Sequence, residues 1–327
     1  MQVPAALSVD LEFFQHLPAY RTAAGTADDP AIGRDGVDFL LDTFEDAGAT
    51  GTFFAVSDLV ANHSEMLARV AERHEIGSHT HTHRHLSDLS TDDRREELAG
   101  SRERLEAATG ADVVGFRAPS FDVAEDHFPM LAETGYEYDS SVVPCRSIPG
   151  WYGGEWNTWR PTPASEIVTG ASADLTEAPD TTDLTEAPDT TGLTEAPDTT
   201  GLTEAPDTTG LVEVPVAVMP GLRLPLTGTW IRFFGVRYTI LGMKLLARRG
   251  IPPVLYVHPW ELVDIPKIEG VPSRIYVRSG EYMRRAIERI LAEPFEFVPV
   301  GALADDVRTE ATRNATVSGS DDREASR

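Results

Sequence analysis

Two stretches, residues 5–145 and 211–300, alternate short apolar segments with amphipathic ones, and this alternation constrains the chain more than any other feature. Segments 5–14, 50–56, 75–78, 113–121, 136–141, 254–262 and 295–300 have the length and composition of strands. Between the first two, Val37, Leu40, Leu41 and Phe44 follow the spacing of one helical face, and Gly48 is placed to end that helix. Further helices are expected over 65–73, from Ser90 or Thr91 as N-cap to about Gly110, and over 124–134, 236–249 and 281–292. Residues 17–33 and 227–232 are expected to be loops. Strands and helices in regular alternation predict parallel β/α units, with the functional loops at the carboxyl ends of the strands.

A chain of 327 residues with 41% hydrophobic content can bury a large core without disulfides, and its single cysteine, Cys145, excludes an internal disulfide framework. Against 53 Asp and Glu stand 28 Lys and Arg, a net charge of −25, and only Lys244 and Lys267 are lysines. No basic cluster is present to hold a phosphate backbone, so nucleic acid is excluded as a partner. An acidic, lysine-poor surface resembles proteins of halophiles, because at molar salt the Debye length is about 3 Å and such charge repels itself little. The first strand follows Met1 almost directly, without a basic and then apolar leader, and no apolar run has the length of a bilayer span. These features predict a cytoplasmic protein.

Residues 174–209 break the pattern with four tandem nonapeptides, (Asp/Gly)-Leu-Thr-Glu-Ala-Pro-Asp-Thr-Thr. The nine residues 210–218, Gly-Leu-Val-Glu-Val-Pro-Val-Ala-Val, look like the same unit in apolar form, as if the repeats duplicated the start of a true strand. Each repeat has one Leu and one Ala against two acids and a proline. That is too little apolar surface to offset an ordering entropy on the order of 1 kcal/mol per residue, so a disordered acidic loop is expected in place of a β-solenoid. One catalytic domain over 1–305 is therefore expected, interrupted by an insert over 161–209 and followed by a disordered polar tail over 306–327.

Polar residues recur where the predicted strands end. Period-two alternation puts Ser8, Asp10 and Glu12 on one face of the first strand, where paired carboxylates among apolar neighbours need a cation or a proton. Four of the nine histidines, His79, His81, His83 and His85, fall within seven residues after the third strand. Imidazoles four apart on a helical turn, or two apart on a strand, can meet one metal ion. Arg117, Asp139 and His258 close three further strands.

This ordered set resembles the polysaccharide (NodB-homology) deacetylase family, in the branch whose first motif is Asp-x-Glu or Asp-x-Asp, over about residues 5–145 and 211–300. The resemblance implies a distorted or incomplete (β/α) TIM-like barrel and a hydrolase that removes N-acetyl groups from a polysaccharide, oligosaccharide or glycan precursor. It makes Asp10 the general base and Glu12 a metal ligand, completed by His79 and His83. One divalent ion is implied, Zn2+ first and Co2+, Mn2+ or Ni2+ as alternatives. Arg117-Ala-Pro119 matches the motif whose arginine sits against the base carboxylate, and Leu255-Tyr-Val-His258 the motif whose histidine is the general acid. Pro119, Asp139, Ser140, Trp230 and Arg232 are candidates for contact with the N-acetylated carbohydrate.

Two departures from the family pattern stand out. Glu12 takes the place of an aspartate, and the overlapping His-x-His pairs leave the ligand pair open between strand and helical-turn geometries. No aromatic-and-aspartate element that would steer the acid histidine is identifiable. Two other classes compete. An amidohydrolase or phosphoesterase barrel would place His-x-His on its first strand, which here has carboxylates instead. A catalytically inactive glycan-binding barrel would have no need of every ligand, base and acid.

Overall fold

The computed structural model describes residues 3–24, 31–148, 156–167 and 208–324. In chain order the elements are β1 (Val3–Leu11), α1 (Pro18–Ala24), α2 (Arg34–Ala47), β2 (Thr52–Ala55), α3 (Val60–Ala71), β3 (Glu75–Ser78), α4 (Thr91–Thr109), β4 (Gly115–Phe116), α5 (His127–Glu133) and β5 (Tyr138–Asp139). They continue as β6 (Thr162–Pro163), β7 (Val212–Glu213), α6 (Gly228–Phe234), α7 (Val236–Ala247), β8 (Val254–Val257), α8 (Glu281–Leu291), β9 (Phe295–Phe297) and α9 (Val300–Glu324). The strand order is β6-β7-β5-β4-β3-β2-β1-β8, with β9 also on β1. Every pairing is parallel except β6 with β7.

The sheet curls into a half-barrel. Among the described residues no ladder joins its two ends, but past β7 the backbone Ala217 N–H donates to Val254 O of β8 at 2.8 Å, so an irregular segment spans the gap. The barrel is distorted: β4, β5 and β7 are strands of only two residues.

Alternation along β1 sorts the side chains as expected. Leu7, Val9 and Leu11 join the large core beneath the helices, while Ser8, Asp10 and Glu12 turn to the inside. The inner floor is Ala6, Phe54, Tyr138 and Val254, plugged from below by Val300, Leu303 and Ala304 of α9. The plug is hydrogen-bonded in place: Val300 N–H donates to Thr52 Oγ1 at 2.7 Å and Gly301 N–H to Glu75 Oε2 at 3.1 Å, satisfying two orphan donors of the helix N-terminus.

Helix ends follow the predicted chemistry. Ser90 caps α4 by accepting from Asp93 N–H, and Gly48 and Gly110 adopt left-handed C-caps with φ of 61° and 70°. Other expectations need correction. Within the presumed loop 17–33, α1 forms because Tyr20 packs on Phe14 in a cluster with Trp260. Residues 228–234 are helical, not a loop, held by burial of Trp230, Ile231 and Arg232. The polar tail expected to be disordered from 306 continues α9 as helix to Glu324, nucleated by its buried first turns. The insert's first residues belong to the sheet, as β6 on β7; the repeats lie outside the described residues up to 207.

Candidate active site

Glu12, His79 and His83 each offer a ligand atom within 4.8 Å of the others, and all three are buried. Glu12 follows the end of β1, and His79 follows β3, where its Nδ1 lies 2.7 Å from Arg117 O. A carbonyl can only accept, so Nδ1 has the proton and Nε2 is left with a lone pair for an ion. His83 comes from a tight turn in which Thr80 and His83 have left-handed φ of 65° and 56°. This turn, neither strand nor helix, selects His79 and His83 from the four histidines. His81 Nδ1 pairs with Ser57 Oγ at 2.9 Å and His85 Nε2 with Ser120 Oγ at 3.1 Å, so neither belongs to the cluster.

The turn is stitched from two sides. Glu97 on α4 accepts from His81 N–H and Thr82 N–H, both at 2.8 Å, and from Thr82 Oγ1 at 2.5 Å. Arg21 on α1 donates to Thr82 O at 2.9 Å.

The donor set fits a divalent metal ion. Nε2 of His83 lies 2.6 Å from Oε2 of Glu12, yet that buried oxygen makes no well-directed hydrogen bond, as expected of two ligand atoms aimed at a common point. Two imidazoles and one carboxylate suit zinc and its first-row neighbours. Burial opposes the charge of Glu12, but His83 and its fellow histidines outweigh it and hold the carboxyl well below the usual range. Burial pushes the His79 imidazole down to about 4, which keeps it neutral and able to ligate.

Asp10 lies beside this cluster, paired to Arg117 through Nη1 at 2.6 Å. Arg117 is fully buried with a partner at each nitrogen: Nη1 also donates to Ser8 Oγ, Nε to Ser140 O and Nη2 to Ser140 Oγ, and the guanidinium lies 4.2 Å above the Phe54 ring. A planar, five-donor cation is the side chain that can be buried this way, and lysine is not an equivalent.

His258, at the end of β8 and so on the strand next to β1, faces the same point, its Nε2 4.0 Å from Asp10 and 3.6 Å from Glu12. Behind it the chain doubles back in a 3-10 turn, Pro259–Leu262, which supplies the steering element absent from the motif reading. Trp260 stacks on the imidazole with centroids 4.9 Å apart and donates its indole N–H to Glu12 Oε1 at 3.2 Å. Glu261, fully buried, lies 3.3 Å from His258 Nδ1 and is itself anchored by Arg232 Nε at 2.8 Å. Burial disfavours the imidazolium, but Glu261, with Glu12 and Asp10, overrides it and raises the His258 pKa. Sequence reasoning missed Trp260 and Glu261, although a Trp and a Glu directly after a strand-end histidine were a readable signal.

These groups open into a pocket of about 690 Å³, whose walls include Phe121, Trp156, Tyr256, Phe233 and Arg274. The candidate substrate contacts divide. Arg232 lines the pocket while bound to Glu261. Ser140 is buried behind Arg117. Asp139 is buried against His127 Nε2 at 2.9 Å and accepts from Ser141 Oγ at 2.6 Å. Burial, with Asp139 alongside, pushes Glu213 well above the carboxylate range. Pro119 is buried, and Trp230 stacks on Phe234, outside the pocket lining. Among the described residues no helix is long and apolar enough to cross a membrane.

The polysaccharide deacetylase profile matches residues 19–138, and a domain of unknown function, DUF3473, matches 184–305. The chain is 29% identical over 135 residues to the uncharacterized protein YlxY of Bacillus subtilis (strain 168), covering 38% of this chain and 41% of that protein. It is 23% identical over 156 residues to a peptidoglycan deacetylase of Helicobacter pylori (strain ATCC 700392 / 26695), covering 45% and 53%. It thus spans about half the length of the curated relatives it matches. A Mycobacterium smegmatis structure assigned to the polysaccharide deacetylases has the same fold, with a TM-score of 0.58 at 21% identity over 95% of this chain and 96% of that one. The polysaccharide deacetylase match thus ends inside the strand of Tyr138, and the chain as a whole has the fold of a structure assigned to that family.

Proposed function

We propose that the chain is a metal-dependent hydrolase that removes N-acetyl groups from a carbohydrate, with Glu12, His79 and His83 holding one divalent ion, Zn2+ before Co2+, Mn2+ or Ni2+. The observation that supports this best is convergence: three candidate ligands from two strand ends, with Asp10 and His258 Nε2 close by, 4.0 Å from one another. Such an ion, when bound, supplies Lewis acidity, acidifying water and polarising an amide carbonyl.

The protein side chains do the rest. Asp10, oriented by Arg117, takes the proton of the attacking water. His258, oriented by Glu261 and backed by Trp260, gives a proton to the departing amine. Each transfer contributes roughly 10²–10⁴-fold. Arg117 keeps Asp10 at one position and so limits its reorganisation during the transfer. Ser141, Tyr256 and Phe121 shape the pocket around the acetamido group.

Metal stoichiometry tests the reading. Purified protein is expected to bind about one equivalent of divalent metal, and His83→Ala to lose it. Two equivalents would favour a binuclear phosphoesterase instead. Metal retention by His83→Ala would overturn the ligand assignment.

A further inference from the structure

Most charged side chains of the pocket already have a structural partner. Asp10 is paired with Arg117, Glu12 sits with the histidines, Asp122 accepts from both Ser87 N–H and Ser87 Oγ, and Arg232 is bound to Glu261. Arg274 is different: it lines the pocket, is exposed, and has no ion pair among the described residues. Its backbone is nonetheless fixed. It lies in the short 3-10 turn Ser273–Tyr276, where Ile275 O accepts from buried Arg232 Nη1 at 2.7 Å and Ile268 N–H donates to Tyr276 Oη at 3.0 Å. The residue after Arg232, Phe233, lines the same pocket and is 37% exposed. Arg232 therefore ties together the two segments that present an exposed ring and an unpaired guanidinium.

Phe233 differs from the more exposed Phe234 in that its ring lines the pocket, where an aromatic side chain is available to a bound ligand. Its electron-rich face suits the slightly positive C–H face of a pyranose ring. The planar fork of a guanidinium matches a carboxylate through two parallel hydrogen bonds. A single guanidinium, with Asp10 and Asp122 on the same lining, suits a monoanion better than a phosphate dianion. The net charge of −25 repels an acidic polymer at long range, and a cation at the pocket offers such a polymer a local attraction against it.

We propose that Phe233 and Arg274 form a subsite for a uronate residue next to the N-acetylated sugar, so that the preferred substrate is an acidic heteroglycan and not a neutral N-acetylglucosamine polymer. The proposal builds on the deacetylase reading of the adjoining metal site.

Calorimetry on metal-loaded protein tests it with three hexasaccharides: one alternating N-acetylglucosamine with glucuronate, its carboxyl-reduced counterpart, and a phosphorylated N-acetylglucosamine oligomer. The wild type is expected to bind the uronate glycan about tenfold more tightly than the reduced one. Arg274→Ala is expected to bring that ratio near one, and Phe234→Ser, exposed on the same helix but outside the pocket lining, to preserve it. Equal binding of the first two glycans by the wild type, or an unchanged ratio in Arg274→Ala, would overturn the subsite. An Arg274-dependent preference for the phosphorylated oligomer alone would overturn the uronate assignment. Because binding is the readout, an Arg274-dependent ratio without acetate release contradicts the deacetylase reading and leaves the subsite standing; acetate release without the ratio does the reverse.

Discussion

Glu261 Oε2 lies 3.3 Å from His258 Nδ1 and also accepts the backbone N–H of His258 at 3.0 Å. One buried carboxylate thus fixes both the ring and the main chain of the proposed acid, three residues upstream of itself. Glu261→Gln keeps the volume and removes the charge. Turnover is expected to fall about 10–100-fold, because a misplaced acid is a poor one, while metal content measured by mass spectrometry stays near one equivalent. Wild-type turnover in this variant would mean that Glu261 has no steering role.

Two glycines make room for that turn. A Cβ at Gly228 would overlap the Glu261 carboxylate, and one at Gly36 would overlap Pro259 O. Gly36→Ala cannot be absorbed by a flexible side-chain end, so it is expected to destabilise the fold by about 1–3 kcal/mol, read as a lower denaturation midpoint. Gly228→Ala is expected to reduce turnover as well, since the group it displaces orients His258. A midpoint unchanged in Gly36→Ala would show that the backbone there gives way freely.

Glu97 touches no ligand, yet it accepts three hydrogen bonds from the turn that presents His83. Removing it in Glu97→Ala is expected to weaken metal binding about 10–100-fold, measured by titration against a competing chelator, while turnover at saturating metal changes much less. Wild-type metal affinity would mean that the strained turn supports itself.

His74 titrates with folding, well away from the metal cluster. Burial, then the neighbouring Arg73, lowers its pKa to about 4; its Nδ1 accepts from Gly51 N–H at 3.3 Å, and its ring packs on Phe44 and Phe53. A histidine with a depressed folded pKa contributes stability that is complete above its unfolded value of 6.5 and is lost as pH falls toward 4. Between pH 7 and 4.5 the wild type is expected to lose about 2 kcal/mol more than His74→Gln, as measured by urea denaturation. Parallel losses in the two proteins would contradict a buried neutral ring.

How far the sequence was readable depended on how local each determinant was. Period-two alternation alone aimed Ser8, Asp10 and Glu12 inward, and Ser90, Gly48 and Gly110 marked helix ends by short-range chemistry. The histidine pair stayed open because left-handed φ at Thr80 and His83, two residues with a Cβ, depends on Glu97 and Arg21 from distant helices. Asp139 and Ser140 sit at a strand end as expected, but their partners His127, Ser141 and Arg117 turn them away from the pocket. Residues 228–234 have Arg232 as their one strong helix former, and α6 depends on tertiary partners: the burial of Trp230 and Ile231 and the bond from Arg232 to Glu261.

The most direct test of the account is acetate released from N-acetylated oligosaccharides by zinc-loaded wild type and by Asp10→Asn carrying the same metal content. The account predicts metal-dependent release by the wild type, abolished by a chelator and restored by zinc, and a loss of about 10²–10⁴-fold in Asp10→Asn. Full activity of Asp10→Asn, or release from the wild type that survives complete removal of metal, would contradict it.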